Sequence, residues 1–283
     1  MKKFLSIILG IIMTTAIFSG CKQEETPDNT IEVYLIGGQS NAVGNAYLED
    51  LPATELNKRY ENTLYYAEGT VSESSYGLLS SVTTETGKGQ GWRDDQFGAE
   101  VGIAKKFAQH DNEKRALIKC AYNGSSINKN NAGMGSWWTE PAEIPNVSIK
   151  CYDGFIQAVV NGLDALKEEG YKPVIKGMVW LQGESNAGNS TYLSDLRTLR
   201  DKIRSVLGAP DMYFVAGEIS NVKYGEFCAV NEAVHEFAND TRCGYVACGV
   251  LPLDTRTNNV YHWTGNNMLQ IGEMFADKLL ENA

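Results

Sequence analysis

Ile31-Glu32-Val33-Tyr34-Leu35-Ile36-Gly37-Gly38-Gln39-Ser40-Asn41 runs from an apolar, β-branched segment straight into two glycines and a serine. The apolar part predicts a strand over 32–37, and its near-continuous hydrophobicity suits a strand covered on both faces. Glycines there permit a tight turn, so Ser40 would sit just past the end of the strand. That is where an open α/β sheet binds its ligands. Taken alone, Gly-Gln-Ser-Asn is equally a turn with a helix-capping serine.

Outward from this stretch, short apolar runs alternate with segments of helical period. Further strands are expected over 115–121, 174–181, 212–217 and 244–250. Helices are expected over 97–109, 152–169, 190–206, 226–239 and 265–281. The alternation predicts a three-layer α/β/α sandwich around a five-stranded, mainly parallel sheet. Residues 50–95 and 123–145 break the pattern and read as long surface excursions.

A serine hydroxyl needs a base to become a nucleophile, and the chain holds 3 histidines, His110, His235 and His262. His110 ends a predicted helix, and His235 lies in the amphipathic run from Phe227 to Phe237, so both read as helix-face residues. His262 instead falls in a loop between the last strand and the last helix, on the side where the first strand exits. Trp180-Leu181-Gln182-Gly183-Glu184-Ser185-Asn186 places an amide and a carboxylate beyond another strand. It reads either as a capping turn or as a source of an oxyanion donor, Gln182, and an imidazole-orienting carboxylate, Glu184. Gly124, after the strand at 115–121, offers a backbone N–H.

Together these blocks resemble the sialate O-acetylesterase and carbohydrate esterase family 6 branch of the SGNH hydrolases, which has a flavodoxin-like fold. The resemblance runs from about residue 31 to 280 and is carried mainly by the Gly-Gln-Ser-Asn and Trp-Leu-Gln-Gly-Glu-Ser-Asn blocks. It implies Ser40 as nucleophile and His262 as base. The Ser40 and Gly124 N–H groups and the Gln182 side chain would form the oxyanion hole. The wider superfamily carries an aspartate three residues before the histidine, where this chain has Asn259. Glu184 is therefore expected to orient His262, with Asp254 as the alternative acid. Gln39, Asn41, Trp138 and Trp263 are expected to touch substrate, and Trp92 and Trp137 lie in the same predicted loops. The resemblance implies removal of acetyl from an O-acetylated glycan through an acyl-enzyme, with no cofactor. A glycan-binding protein without turnover and a lipase or thioesterase of the same fold are the alternatives.

The N-terminus sets an expected compartment. Met1-Lys2-Lys3, the apolar run Phe4 to Phe18 and Ser19-Gly20-Cys21 have the layout of a lipoprotein signal peptide over 1–20. Cys21 is the expected lipidation site, residues 21–30 a polar tether, and residues 31–283 one esterase domain. A membrane is thus an expected partner through the lipid anchor, at the outer membrane or cell surface. Of 25 basic residues, loss of Lys2 and Lys3 leaves 23 against 35 acidic ones, a formal charge of −12. That balance argues against nucleic acid. Of 6 cysteines, Cys120, Cys151, Cys228, Cys243 and Cys248 remain beside Cys21, an odd number that leaves at least one thiol free. A Cys228–Cys243 bridge fits an oxidising compartment. No cysteine pair has zinc-ligand spacing, so no metal site is expected.

Overall fold

The computed structural model describes residues 29–129, 134–140, 143–144, 146–256 and 261–282. The expected signal peptide, Cys21, most of the tether and Asn259 lie outside the described residues.

The opening stretch forms β1 (Thr30–Gly38). Its side chains alternate in the strand period, with Tyr34 and Ile36 in one hydrophobic cluster and Ile31, Val33 and Leu35 in another. The first cluster is closed by α2 (Glu100–His110) and α7 (Gly265–Asn282), through residues such as Phe107 and Phe275. The second is closed by α3 (Cys151–Glu168), α4 (Tyr192–Val206) and α6 (Ala229–Phe237), through Phe155, Leu199 and Phe237. Full burial of each such side chain contributes about 1.5–3 kcal/mol, and both faces of the sheet are covered in this way. This is the three-layer sandwich expected from the alternation of elements.

The remaining major strands are β3 (Arg59–Gly69), β4 (Ser80–Thr83), β6 (Arg115–Ala121), β7 (Lys172–Leu181), β8 (Tyr213–Gly217) and β9 (Cys243–Val246). They pair in the order β4-β3-β6-β1-β7-β8-β9, so the sheet has 7 strands rather than the five expected. The two additional strands come from the stretch read as a surface excursion. β3 runs parallel to β6, and β4 pairs antiparallel at the edge. Glu61 and Asn62 interrupt the apolar pattern of β3, and the β3–β4 register shifts between Tyr60 and Leu64, which hides the strand from a periodicity reading. Beyond that point Tyr65 and Tyr66 enter opposite faces of the core. A separate ribbon joins β2 (Ala46–Tyr47) to β5 (Gln96–Phe97).

β1 occupies the middle of the sheet. After β6 the chain passes β1 to begin β7 on its other side, which makes the carboxyl end of β1 a topological switch point with a crevice above it. Gly38, opposite Leu181 in the register, has φ +139, and a Cβ there would come within 2.0 Å of the Leu181 carbonyl oxygen. Only glycine lets the two strand ends approach that closely.

The second excursion is pinned by Trp137, which is fully buried, donates from Nε1 to Ser125 Oγ at 2.9 Å and packs edge-on to Trp180. The Cys228–Cys243 bridge is not formed: all of Cys120, Cys151, Cys228, Cys243 and Cys248 are free thiols. Cys120 and Cys248 are fully buried, like small hydrophobes.

Candidate active site

Every strand that ends near the switch point delivers a piece of one cleft. Past β1 the chain enters α1 (Ser40–Val43), whose first residue is Ser40. As the first residue of a helix, Ser40 has a backbone N–H with no intrahelical acceptor. Past β6 the chain turns through Asn123 and Gly124, the latter at φ +65. A Cβ on Gly124 would fall 2.6 Å from Sδ of the flexible Met134 side chain, so it is the positive φ, more than this contact, that favours glycine in the turn. Past β7 come Gln182 to Ser185, and past β8 comes Tyr224. Past β9 come Asp254 and His262, held together by a hydrogen bond from Asp254 N to His262 O at 2.7 Å beside the Leu253–Trp263 bridge.

These segments enclose a cavity of about 460 Å³. Ser40 and His262 both line it, with Gln39, Asn45, Gly124 and Glu184 among the polar walls and Trp92, Met134, Tyr224 and Tyr261 as apolar ones. A second cavity of about 290 Å³ shares Asn45, Trp92 and His262 with the first and adds Tyr47, Arg93, Gln96 and Asp254. His262 thus stands between two lobes of one cleft. Burial holds its imidazole below the ordinary value of 6.5, and the negative charge of Asp254 opposes that shift. The ring is therefore neutral at pH 7 and able to accept a proton.

Glu184, expected to orient the imidazole, lies elsewhere in the network. Its Oε1 accepts from Asn41 Nδ2 at 2.5 Å, while its Oε2 is buried and has no hydrogen-bond partner among the described residues. Burial raises this carboxyl to about 7, with the Asn41 hydrogen bond pulling the other way. The same Asn41 Nδ2 donates to the carbonyl of Tyr261 at 3.1 Å, so Asn41 joins Glu184 to the residue preceding His262. The carboxylate whose charge reaches His262 is that of Asp254. It is held ionised, below its usual range, chiefly by hydrogen bonds from Arg256, at 3.0 Å from Nε and 2.8 Å from Nη2.

Gln182 also differs in placement from the expectation of an oxyanion donor. Its Nε2 is engaged by Asn186 Oδ1 at 2.7 Å, Gln39 Oε1 at 3.0 Å and the Ser125 carbonyl at 3.2 Å, and it does not line the cavity. Gln39 does line it. Gln39 Oε1 also accepts from the Gly183 and Ser185 N–H groups at 3.3 Å, which fixes which end of the amide faces them. Its Nε2, at the other end, makes no hydrogen bond with any described residue and remains available for a ligand.

Of the aromatic residues expected at the substrate, Trp263 is 1 % exposed and belongs to the core, so it cannot touch a ligand. Trp138 lines neither cavity and donates to Glu143. Asn41 is likewise buried, below the cavity wall. Trp92, at 42 % exposure, forms the wall instead. Tyr224, Met134 and Asn45 carry no sequence motif. The position of Tyr224 just past β8 was the one available signal.

Beneath the cleft lies a buried ion pair. Lys119 on β6 is fully buried and donates from Nζ to Glu100 Oε2 at 3.0 Å, to the Val43 carbonyl at 2.9 Å and to the Gln90 carbonyl at 2.6 Å. It ties the end of the Ser40 helix to the loop carrying Trp92.

The model of the family described as "Carbohydrate esterase, sialic acid-specific acetylesterase" matches residues 30–281. The chain belongs to this family. Membership makes it an ester hydrolase acting on carbohydrate in general, and the crevice at the switch point is where such a fold places its site. Among solved structures, this esterase is similar to a protein from Arabidopsis thaliana, with 16% identity and a TM-score of 0.64 over 90% of this chain and 99% of that one. It is also similar to NanS, with 16% identity and a TM-score of 0.62 over 90% of this chain and 98% of that one. At that identity the likeness is one of fold. No match was found among curated proteins.

Proposed function

We propose that the protein is a serine esterase that removes O-acetyl groups from carbohydrate through an acyl-enzyme. The observation that carries this reading is the meeting of Ser40 and His262 in one cavity, the serine at the switch point and the histidine neutral. His262 takes the proton of Ser40 Oγ as that oxygen attacks the ester carbonyl carbon. Charge on the carbonyl oxygen faces the N–H groups of Ser40 and Gly124, with Gln39 Nε2 as the side-chain donor, while Gln182 braces Gln39 from behind. The imidazolium returns its proton to the departing sugar hydroxyl. Water, deprotonated by the same imidazole, then releases acetate and restores Ser40. Asp254 stabilises the imidazolium through its fixed negative charge, and Glu184 positions the histidine loop by way of Asn41.

The test is hydrolysis of 4-nitrophenyl acetate and of an acetylated oligosaccharide by residues 22–283 and by the Ser40→Ala and His262→Ala variants. The expected result is acetate release by the wild type and loss of about a thousand-fold or more in each variant. Folded wild type without turnover would overturn the reading in favour of a glycan-binding protein. Octanoyl ester cleaved faster than acetyl would make it a lipase. The Met1–Cys21 segment supports export and lipid attachment at Cys21. Palmitate labelling in a bacterial host, lost in Cys21→Ala, is the corresponding check.

A further inference from the structure

Of the 7 methionines, Met1 and Met13 lie outside the described residues. Met178, Met212 and Met268 are buried, and Met274 packs partly buried on the core. Among the described methionines only Met134 is exposed, at 59 %, although this residue type is ordinarily buried. It lines the Ser40 cavity. Its Sδ lies 2.6 Å, and its Cβ 3.3 Å, from where a Cβ on Gly124 would stand. The whole side chain therefore runs along the residue whose N–H is the proposed oxyanion donor. The backbone beside it is pinned, because the Gly135 carbonyl accepts from Ser126 N at 3.0 Å. One thioether is thus both open to solvent and held at the reacting end of the cleft.

We propose that Met134 is an oxidation site at which hydrogen peroxide switches the cleft off and methionine sulfoxide reductase switches it back on. The loss of turnover rests on the esterase reading of the same cleft, whereas the selectivity of the oxidation does not. A sulfur lone pair forms an S–O bond to one oxygen of the peroxide as the O–O bond breaks. The proton of the transferred oxygen passes to the departing hydroxide, which leaves as water, so the sulfur loses the two electrons that the peroxide gains. The reverse step oxidises two thiols to a disulfide and releases the oxygen as water. The sulfoxide is polar and carries an oxygen that accepts hydrogen bonds, where the thioether accepted them only weakly. Beside Gly124, that oxygen competes with the ester carbonyl for the Gly124 N–H and for Gln39 Nε2. It also makes polar a wall that Trp92, Tyr224 and Tyr261 keep apolar. The thiols are poorer targets. Cys120, Cys151, Cys243 and Cys248 are buried and Cys228 is half-buried. Burial pushes the four buried thiols up, away from the thiolate that peroxide attacks.

The experiment exposes the protein and its Met134→Leu and Cys228→Ser variants to hydrogen peroxide. Peptide mass spectrometry follows each methionine, and turnover of 4-nitrophenyl acetate is read for each protein relative to its own untreated value. Met134 is expected to oxidise about tenfold or more faster than Met274 and the buried methionines. Turnover of the wild type and of Cys228→Ser should fall about tenfold or more, in step with the sulfoxide at Met134. Met134→Leu should keep most of its own turnover at the same dose. Two methionine sulfoxide reductases, one for each epimer, with dithiothreitol should restore the wild type. Oxidation of Met134 no faster than that of Met274, turnover that survives full conversion, equal loss in Met134→Leu, or no recovery overturns the switch. Should folded wild type cleave nothing before treatment, the esterase reading fails separately, and the mass spectra decide Met134. Selective oxidation reversed by the reductases then upholds the site, and oxidation without selectivity overturns it.

Discussion

Asn41 Nδ2 lies 2.5 Å from Glu184 Oε1 and 3.1 Å from the carbonyl oxygen of Tyr261. One buried amide next to Ser40 therefore fastens the loop after β7 to the loop that carries His262. Asn41→Ala should lower kcat about ten- to a hundred-fold on 4-nitrophenyl acetate with a smaller change in KM, because a small displacement of the base costs that much. Steady-state kinetics within twofold of wild type would show that the staple is not needed.

The two carboxylates near the histidine loop should separate cleanly. Glu184→Gln keeps an oxygen that accepts from Asn41, so its turnover is expected to stay within about tenfold of wild type. Asp254→Asn removes the charge that stabilises the imidazolium and should cost about a hundred- to ten-thousand-fold. The reverse ranking would return Glu184 to the role expected from sequence alone.

The Glu184 carboxyl, raised from 4.5 to about 7, also makes stability depend on pH. Between those values the folded protein keeps a proton that the unfolded chain has released, so folding takes up a proton and stability falls as pH rises through the interval. Glu184→Gln should accordingly be stabilised relative to wild type at pH 8, by at most about 3 kcal/mol, and little changed at pH 4. Urea denaturation at the two pH values checks this. An equal effect at both would mean that the carboxyl titrates normally.

Gly124→Ala should fold and lose turnover. The added methyl meets Met134 and strains a backbone at φ +65, which shifts the N–H offered to the oxyanion. Loss of one such donor costs about a hundred- to a thousand-fold in kcat. Unchanged kcat with a native circular dichroism spectrum would remove Gly124 from the site.

Lys119→Met leaves the Glu100 carboxylate buried without its cation and should cost about 3–5 kcal/mol of stability. The double variant Lys119→Met/Glu100→Gln should recover most of it. Equilibrium unfolding measures both. A single variant within about 1 kcal/mol of wild type would mean that water reaches Glu100.

What the sequence made legible follows from how locally each feature is encoded. β6 has the expected bounds, and β1, β7 and β8 differ only by a residue or two at their ends, because each is an apolar run closed by a break in period. Ser40, Gly124 and His262 could be placed at one end of the sheet because all three follow strand ends. β3 does not show as a strand in the sequence because its polar interruption coincides with a register shift. The partners of Gln182 and Glu184 were also illegible. Whether an amide faces a cavity or its neighbour Gln39 depends on packing between segments far apart in the chain. Trp263 and Trp92 make the same point: both are loop tryptophans by pattern, yet one fills the core and the other forms the cleft wall.

Ser40 hangs from a strand that is bonded on both sides, to β6 through Glu32–Ile36 and to β7 through Thr30–Gly38. Its turn cannot open without opening the middle of the sheet. The amides of β1 should therefore exchange with deuterium only through global unfolding. Covalent capture of Ser40, the proposed nucleophile, by a fluorophosphonate should then fade on heating along the same curve as the whole fold, so that this one side chain doubles as a reporter of how much protein is still native.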